Sequence, residues 1–201
     1  LDTEFLRFEP EHPKGIPDGF LEVSARLGAK NVLVMSAEPD EARTLERFGE
    51  LCDRAAGYGL QVCLEFAIYT GVRTLAHAAD MVARSKRPNA SVLIDALHFS
   101  RSGGVPAHIK HVDPSLMRYV QICDAGPDMP GPTDTPALIR EARTGRLLPG
   151  DGVLPLAELV AALPPGVPIA IEAPCRATAE LPAAERAKRA YRALTALLEK
   201  S

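Results

Sequence analysis

Acidic side chains recur where short apolar segments of this chain end. Glu65, Asp95 and Glu172 each follow a run of apolar residues, and the amide of Gln121 interrupts a fourth run. An ionised carboxylate is very costly to bury alone, so each acid needs a partner: the next helix, an arginine or a metal ion. Their recurrence at successive segments favours one shared site. Three carboxylates with an amide oxygen suit Mg²⁺ or Mn²⁺ better than a structural Zn²⁺.

Two further kinds of side chain could bind a substrate. His98 lies just after the fourth apolar run, where an imidazole can contact substrate or exchange a proton; the alternative is a loop histidine bonded to a backbone carbonyl. Arg146 is the last of three arginines spaced three residues apart on a predicted helix. Arg146, or Arg101 just past His98, could hold an anionic group, and a solvated basic helix face is the alternative for Arg146.

Six apolar segments have the length and β-branched content of strands. They are residues 4–8, 31–35, 61–66, 91–95, 119–123 and 168–172. Helical patterns lie between them. One has Pro39 at its first position and ends at Gly57, a second runs from about residue 74 to 85, and the last occupies about residues 183–200.

The strand ends are spaced almost evenly, which indicates a repeated strand–helix unit. Met35, Glu65 and Asp95 are 30 residues apart, Gln121 follows 26 residues later, and Glu172 comes 51 residues after Gln121. Parallel strands joined by helices form a doubly wound sheet or a (β/α)8 barrel, and the Gly-rich nucleotide motif typical of the first is absent. A barrel unit uses about 31 residues, so this chain holds about six units. We predict an α/β fold, a TIM barrel in one domain over residues 1–201, incomplete at the N-terminus.

Five motifs in order resemble the xylose isomerase-like TIM-barrel proteins, which include sugar and sugar-phosphate isomerases and epimerases and 3-dehydroshikimate dehydratases. The motifs are Leu64-Glu65-Phe66, Ile94-Asp95-Ala96-Leu97-His98-Phe99, Val120-Gln121-Ile122-Cys123-Asp124, Pro149-Gly150-Asp151-Gly152 and Ile169-Ala170-Ile171-Glu172. The resemblance implies that one divalent metal ion, Mn²⁺ or Mg²⁺ with Co²⁺ or Zn²⁺ as alternatives, is bound by Glu65, Asp95, Gln121 and Glu172. It also implies that the chain starts near the family's third strand.

The resemblance further implies an enzyme that moves a proton next to a carbonyl group. In the sugar epimerases of this family the first and last Glu are both metal ligands and acid–base groups, which makes Glu65 and Glu172 the expected catalytic residues, with His98 beside them. We expect an isomerase or epimerase of a small sugar, sugar phosphate or keto-polyol, acting through a metal-stabilised enediolate.

One departure from the family pattern opens a second possibility. Gln121 stands where the isomerases and epimerases usually have His, whereas Gln is familiar in the dehydroshikimate dehydratase-like members. A metal-dependent dehydratase (a lyase) is therefore the alternative, because loss of a β-hydroxyl starts from the same enolate. A non-catalytic barrel that binds a metal or a sugar is a further alternative.

The composition bears on partners and location. The formal charge is −3 and the chain has no dense stripe of Lys and Arg, so we expect no nucleic-acid partner. No apolar run approaches the ~20 residues of a membrane helix. Four widely spaced cysteines and the lack of a secretory signal favour the cytoplasm. The expected partner is a small polyhydroxylated carbonyl compound, and a homo-oligomer is compatible with this composition.

Overall fold

The computed structural model describes residues 6–8 and 18–200. Its strands are β1 (Leu6–Phe8), β2 (Asn31–Ser36), β3 (Gln61–Glu65), β4 (Ala90–Asp95), β5 (Met117–Ile122) and β6 (Ile169–Ile171). Its α-helices are α1 (Asp18–Arg26), α2 (Glu41–Ala56), α3 (Leu75–Ser85), α4 (Ala96–Arg101), α5 (Thr135–Thr144), α6 (Leu156–Ala162) and α7 (Ala183–Leu198). Short 3-10 helices span Pro106–His111, Pro114–Leu116 and Arg176–Thr178.

Each of the six predicted strands overlaps an observed strand, and the alternation of strands with helices is confirmed. Glu4 and Phe5, which the sequence also assigns to the first strand, lie outside the described residues. None of the helices in the described part of the chain is long and apolar enough to cross a membrane.

The chain divides into two compact units, of which the first comprises residues 1–94 and 112–118. Strands β1 to β4 are parallel and lie side by side in chain order; Val62, for example, pairs with Val32 on one side and Ala90 on the other. Beyond their first residues β2 and β3 are buried, and β4 is buried throughout. Burial on both faces explains why these strands are continuous apolar runs. Helix α2 packs against β3 and α3.

The second unit comprises residues 95–111 and 119–201. Strands β5 and β6 are parallel, with Val120 opposite Ile169. Helix α6 packs against Pro106–His111 and against α7. A small apolar cluster is buried in this unit, formed by Leu97, Cys123, Ala125 and Ala142. The expectation of one domain over residues 1–201 stays a prediction.

Helix boundaries correct two details of the sequence interpretation. Helix α2 begins after Asp40, whose carboxylate accepts a hydrogen bond from the Arg43 backbone N–H, so Pro39 precedes the cap instead of opening the helix. An acidic side chain in the capping position satisfies one of the free N–H groups of the first turn. Helix α5 ends at Thr144, so Arg146 does not share its face with Arg143.

Candidate active site

The four predicted metal-ligand residues lie at or beside the carboxyl ends of strands. Glu65 is the last residue of β3, Asp95 the last of β4, Gln121 the next to last of β5, and Glu172 directly follows β6. Glu65, Asp95 and Gln121 are 2%, 0% and 1% exposed, whereas the Glu172 side chain is 39% exposed. Glu65 belongs to the first unit and the others to the second. Joint ligation of one metal ion by these four residues stays a prediction.

A buried ion pair joins Asp95 to Arg146. Nη1 of Arg146 lies 2.5 Å from Oδ2 of Asp95, and both side chains are almost fully buried. The same guanidinium donates through Nε to the carbonyl oxygen of Ala142 and through Nη1 to that of Glu172. Its Nη1 also lies 3.5 Å from the Glu172 carboxylate. Arg146 is therefore fixed between α5, the end of β4 and the end of β6.

Asp95 also begins helix α4. Its Oδ1 accepts a hydrogen bond from the backbone N–H of His98 at 3.0 Å, which caps the first turn of the helix. Because α4 follows β4 without a loop, this cap holds the imidazole of His98 next to the Asp95 carboxylate. Ligand atoms of the two side chains lie within 4.8 Å of each other. Nε2 of His98 lies 3.4 Å from Nη2 of Arg146.

The surroundings set the charge of both groups. Burial alone would raise the pKa of Asp95, but the positive charge of Arg146 and the bonds from His98 and Arg146 hold that pKa below its usual value. Burial lowers the pKa of His98 to about 4, and the Arg146 charge adds to this effect while Asp95 opposes it. At neutral pH the Asp95 carboxylate is therefore ionised and the neighbouring His98 imidazole is uncharged. A buried carboxylate oxygen and a neutral imidazole nitrogen are both groups that can bind a divalent metal ion.

Arg101, the other arginine predicted to bind an anionic group, is engaged with a carboxylate. Its Nε and Nη2 donate to the two carboxylate oxygens of Glu141 at 2.9 and 2.6 Å, and the two side chains are only 6% and 12% exposed. This bidentate pair ties α4 to α5 through Glu141, five residues before Arg146. The role of Arg101 toward a substrate stays a prediction.

Asp124 is an organising residue that the sequence interpretation did not single out. Its buried carboxylate accepts hydrogen bonds from the backbone N–H groups of Gly150, Gly152 and Leu154, each at 2.9–3.0 Å. These bonds shape the Pro149–Gly152 motif into a loop around one acidic side chain. The only sequence signal for this role was an aspartate just after β5. The loop that it binds lies 26 residues further along the chain, so no local pattern predicts the contact.

The fold of this chain is also that of several solved structures. The IolI protein with a bound zinc atom has a TM-score of 0.84 at 23% identity, over 98% of this chain and 75% of that chain. The probable 3-DHS dehydratase AsbF from Bacillus anthracis has a TM-score of 0.74 at 14% identity, over 97% of this chain and 76% of that chain. The 3-keto-D-glucoside 4-epimerase YcjR from E. coli has a TM-score of 0.66 at 20% identity, over 90% of this chain and 68% of that chain.

The sequence itself identifies the family. No curated protein matches the chain at a significant level. The family model of the xylose isomerase-like TIM barrel, however, matches residues 20–197. That range includes all of β2 to β6 and every strand-end residue described above. The predicted resemblance and the predicted barrel are thus confirmed, and the chain belongs to the xylose isomerase-like TIM-barrel family.

Proposed function

We propose that this protein is a divalent-metal-dependent isomerase or epimerase that acts on a small sugar, sugar phosphate or keto-polyol. The observation that carries the proposal is the fully buried Asp95 at the end of β4, held beside the imidazole of His98 and the guanidinium of Arg146. Buried charged groups at the carboxyl ends of barrel strands are costly to maintain, and that end of the barrel is where enzymes of this architecture carry their active sites. Sugar epimerases are among the structural neighbours of the chain.

The donor set fits a divalent metal ion. In our proposal Glu65, Asp95, Gln121 and Glu172 hold it. Metal-bound carboxylates must be deprotonated, which the lowered pKa of Asp95 favours. The register of β3 and β4 also supports the proposal, because Glu65 pairs with Leu93 and Asp95 lies two residues further along the same strand. Side chains two residues apart on a strand point to the same face.

Each residue then has a defined task. A bound metal ion would act as a Lewis acid that polarises the substrate carbonyl. In our proposal Glu172, whose side chain is partly exposed, exchanges a proton with the carbon next to that carbonyl, and Glu65 is the second acid–base residue. His98, neutral at pH 7, can accept a hydrogen bond from a substrate hydroxyl. Arg146 keeps Asp95 ionised and can share its guanidinium with a substrate oxygen.

A dehydratase is the second candidate, and Gln121 is the observation that favours it. The residue is buried near the end of β5, where its amide offers an oxygen donor instead of an imidazole nitrogen. A harder donor set favours Mg²⁺ or Mn²⁺ over Zn²⁺. Proton removal by the same glutamates followed by loss of a β-hydroxyl gives an unsaturated product. The probable 3-DHS dehydratase from Bacillus anthracis shares the fold.

The test is a calorimetric titration of Mn²⁺ into metal-stripped protein. We expect one stoichiometric site in the wild type, no binding in Asp95→Asn, and unchanged binding in the control Asp128→Asn, which alters an exposed carboxylate of the same unit. Absence of binding by folded wild-type protein would contradict the metal-dependent function.

A second experiment separates the catalytic candidates. Ketoses incubated with the Mn²⁺-loaded protein in deuterated water should gain deuterium at the carbon next to the carbonyl, which NMR detects. An isomerase or epimerase returns a ketose or aldose, whereas a dehydratase converts dehydroshikimate to a product with a new ultraviolet absorbance. Metal binding without exchange or turnover in either assay would instead support a non-catalytic barrel.

A further inference from the structure

Three arginines line one cavity of the second unit. The cavity has a volume of about 400 Å³ and lies between the last turn of α5, the residues after β6 and the first turns of α7. Arg143, Arg176 and Arg186 line it, one from each of these three elements. None of the residues that line the cavity is Asp or Glu. Its wall therefore carries three positive charges and no negative one.

These three guanidinium groups differ from several arginines elsewhere in the described part of the chain. Five arginines outside the cavity have carboxylate partners within 3.0 Å: Arg84, Arg87, Arg101, Arg146 and Arg189. In the described part of the chain Arg143, Arg176 and Arg186 have no ion pair. Like charges that face one small volume repel one another unless an anion lies between them. Their convergence points to an anionic ligand.

The backbone holds two sides of the cavity together. Gly145, just after α5, forms an antiparallel bridge with Cys175, which directly precedes Arg176. The hydroxyl of Thr178 donates to the carbonyl oxygen of Cys175 and closes the short 3-10 helix. Arg143 and Arg176 are thereby carried on paired segments. The cavity is a formed site with a hydrogen-bonded frame.

The position in the fold indicates which anion binds. In TIM barrels the phosphate group of a substrate is frequently bound by the loops after the last two strands and a short additional helix. Here the short helix Arg176–Thr178 follows β6, the last strand. A phosphate dianion has three free oxygens that can accept hydrogen bonds from several guanidinium groups, whereas one bidentate arginine satisfies a carboxylate. Three arginines exceed the need of a carboxylate.

We propose that Arg143, Arg176 and Arg186 bind the phosphate group of a phosphorylated substrate. This inference rests on the proposed function and deepens it, because it makes the substrate a sugar phosphate. Ile171 and Ala173, which flank Glu172 in sequence, both line the cavity. The cavity therefore adjoins the end of the strand that carries Glu172, the proposed acid–base residue.

The test is a calorimetric titration of inorganic phosphate into metal-stripped protein. Removal of one charge-assisted contact should weaken phosphate binding about tenfold in Arg176→Gln and in Arg186→Gln. Both positions are exposed, so the variants should fold like the wild type. Arg192→Gln is the matched control, because Arg192 lies on α7 outside the cavity and should leave the affinity unchanged. Equal affinity in wild type and both cavity variants would overturn the proposal.

Two further arms separate this inference from the proposed metal function. Glu65→Gln should abolish Mn²⁺ binding and leave phosphate affinity unchanged; loss of phosphate affinity in this variant alone would place the phosphate at the metal site and overturn the proposal. Acetate serves as the carboxylate probe, and binding as tight as that of phosphate would overturn the assignment to a phosphate group. Phosphate binding that depends on the arginines in a protein that binds no Mn²⁺ would refute the metal function and leave the anion site standing.

Discussion

At the scale of single residues, the pair of Asp95 and Arg146 is the most consequential contact. We expect Arg146→Met to lower the free energy of unfolding by about 3–5 kcal/mol, because it leaves a fully buried carboxylate without its counter-charge. Urea unfolding followed by circular dichroism measures the change. Arg140→Met, on the exposed face of α5, is the control and should cost less than about 0.5 kcal/mol. A loss below 1 kcal/mol for Arg146→Met would mean that Asp95 is not held ionised by Arg146.

The sequence located these residues but not their contact. Asp95 and His98 stand out because they follow an apolar run, and Arg146 because it precedes a Gly-rich loop. The contact between Asp95 and Arg146, however, spans 51 positions of the chain. Local patterns carry no information on such a pairing, which depends on how β4, α5 and β6 pack. The predicted anion-binding arginine therefore turned out to have a partner within the protein.

A second residue-scale prediction concerns Cys52, on the buried face of α2. Burial raises the pKa of the Cys52 thiol to about 12, from an ordinary value of 9.0. Between pH 9 and pH 12 the unfolded chain loses this proton and the folded chain keeps it, so stability falls as pH rises. The slope from one such group is about 1.4 kcal/mol per pH unit. Unfolding free energies measured from pH 8 to pH 10.5 should fall less steeply in Cys52→Ala than in wild type; parallel curves would contradict the prediction.

At the scale of elements, the loop of residues 149–154 requires a residue without a side chain at Gly152. A Cβ atom on Gly152 would overlap the carbonyl oxygen of Ala125 and the carboxylate of Asp124. We expect Gly152→Ala to cost about 1–3 kcal/mol through overpacking and to loosen the hydrogen bonds to Asp124. Gly126→Ala is the control, since nothing lies within 4 Å of its Cβ position. Thermal unfolding measures both, and equal melting temperatures would refute the account of this loop.

The ends of helices could be predicted where a nearby residue, such as a cap or a glycine, determines them. Gly57 ends α2 as its residue type predicts, and Thr74 caps α3 at the predicted start of that helix. The predicted start of α2 at Pro39 was wrong, because proline and aspartate are both favoured near the start of a helix. The hydrogen bond to the Asp40 side chain places the helix start after Asp40. The Gly145–Cys175 bridge and the hydrogen bonds to Asp124 were not predicted, since both join segments far apart in the chain.

At the scale of the whole molecule, the spacing of strand ends together with the absence of the Gly-rich nucleotide motif predicted the architecture. A repeat of about 30 residues leaves room for one strand and one helix, and consecutive parallel strands with right-handed crossovers form a barrel. The family match over residues 20–197 confirms that fold. The reaction is harder to predict from the sequence than the fold, because proteins of one fold catalyse many reactions and a few side chains determine which one. Gln121 illustrates this, since this one residue is what favours the alternative dehydratase in our proposal.

The last prediction links metal binding to the stability of the whole chain. A ligand that binds only the folded protein stabilises it by about 2.7 kcal/mol at a concentration 100 times its Kd. We therefore expect saturating Mn²⁺ to raise the urea midpoint of the wild type and to leave the midpoints of Glu65→Gln and Asp95→Asn unchanged. Glu50→Gln, at an exposed site on α2, is the control and should respond like the wild type. Equal stabilisation of all four proteins would place the metal elsewhere, and a response lost in Asp95→Asn alone would remove Glu65 from the ligand set.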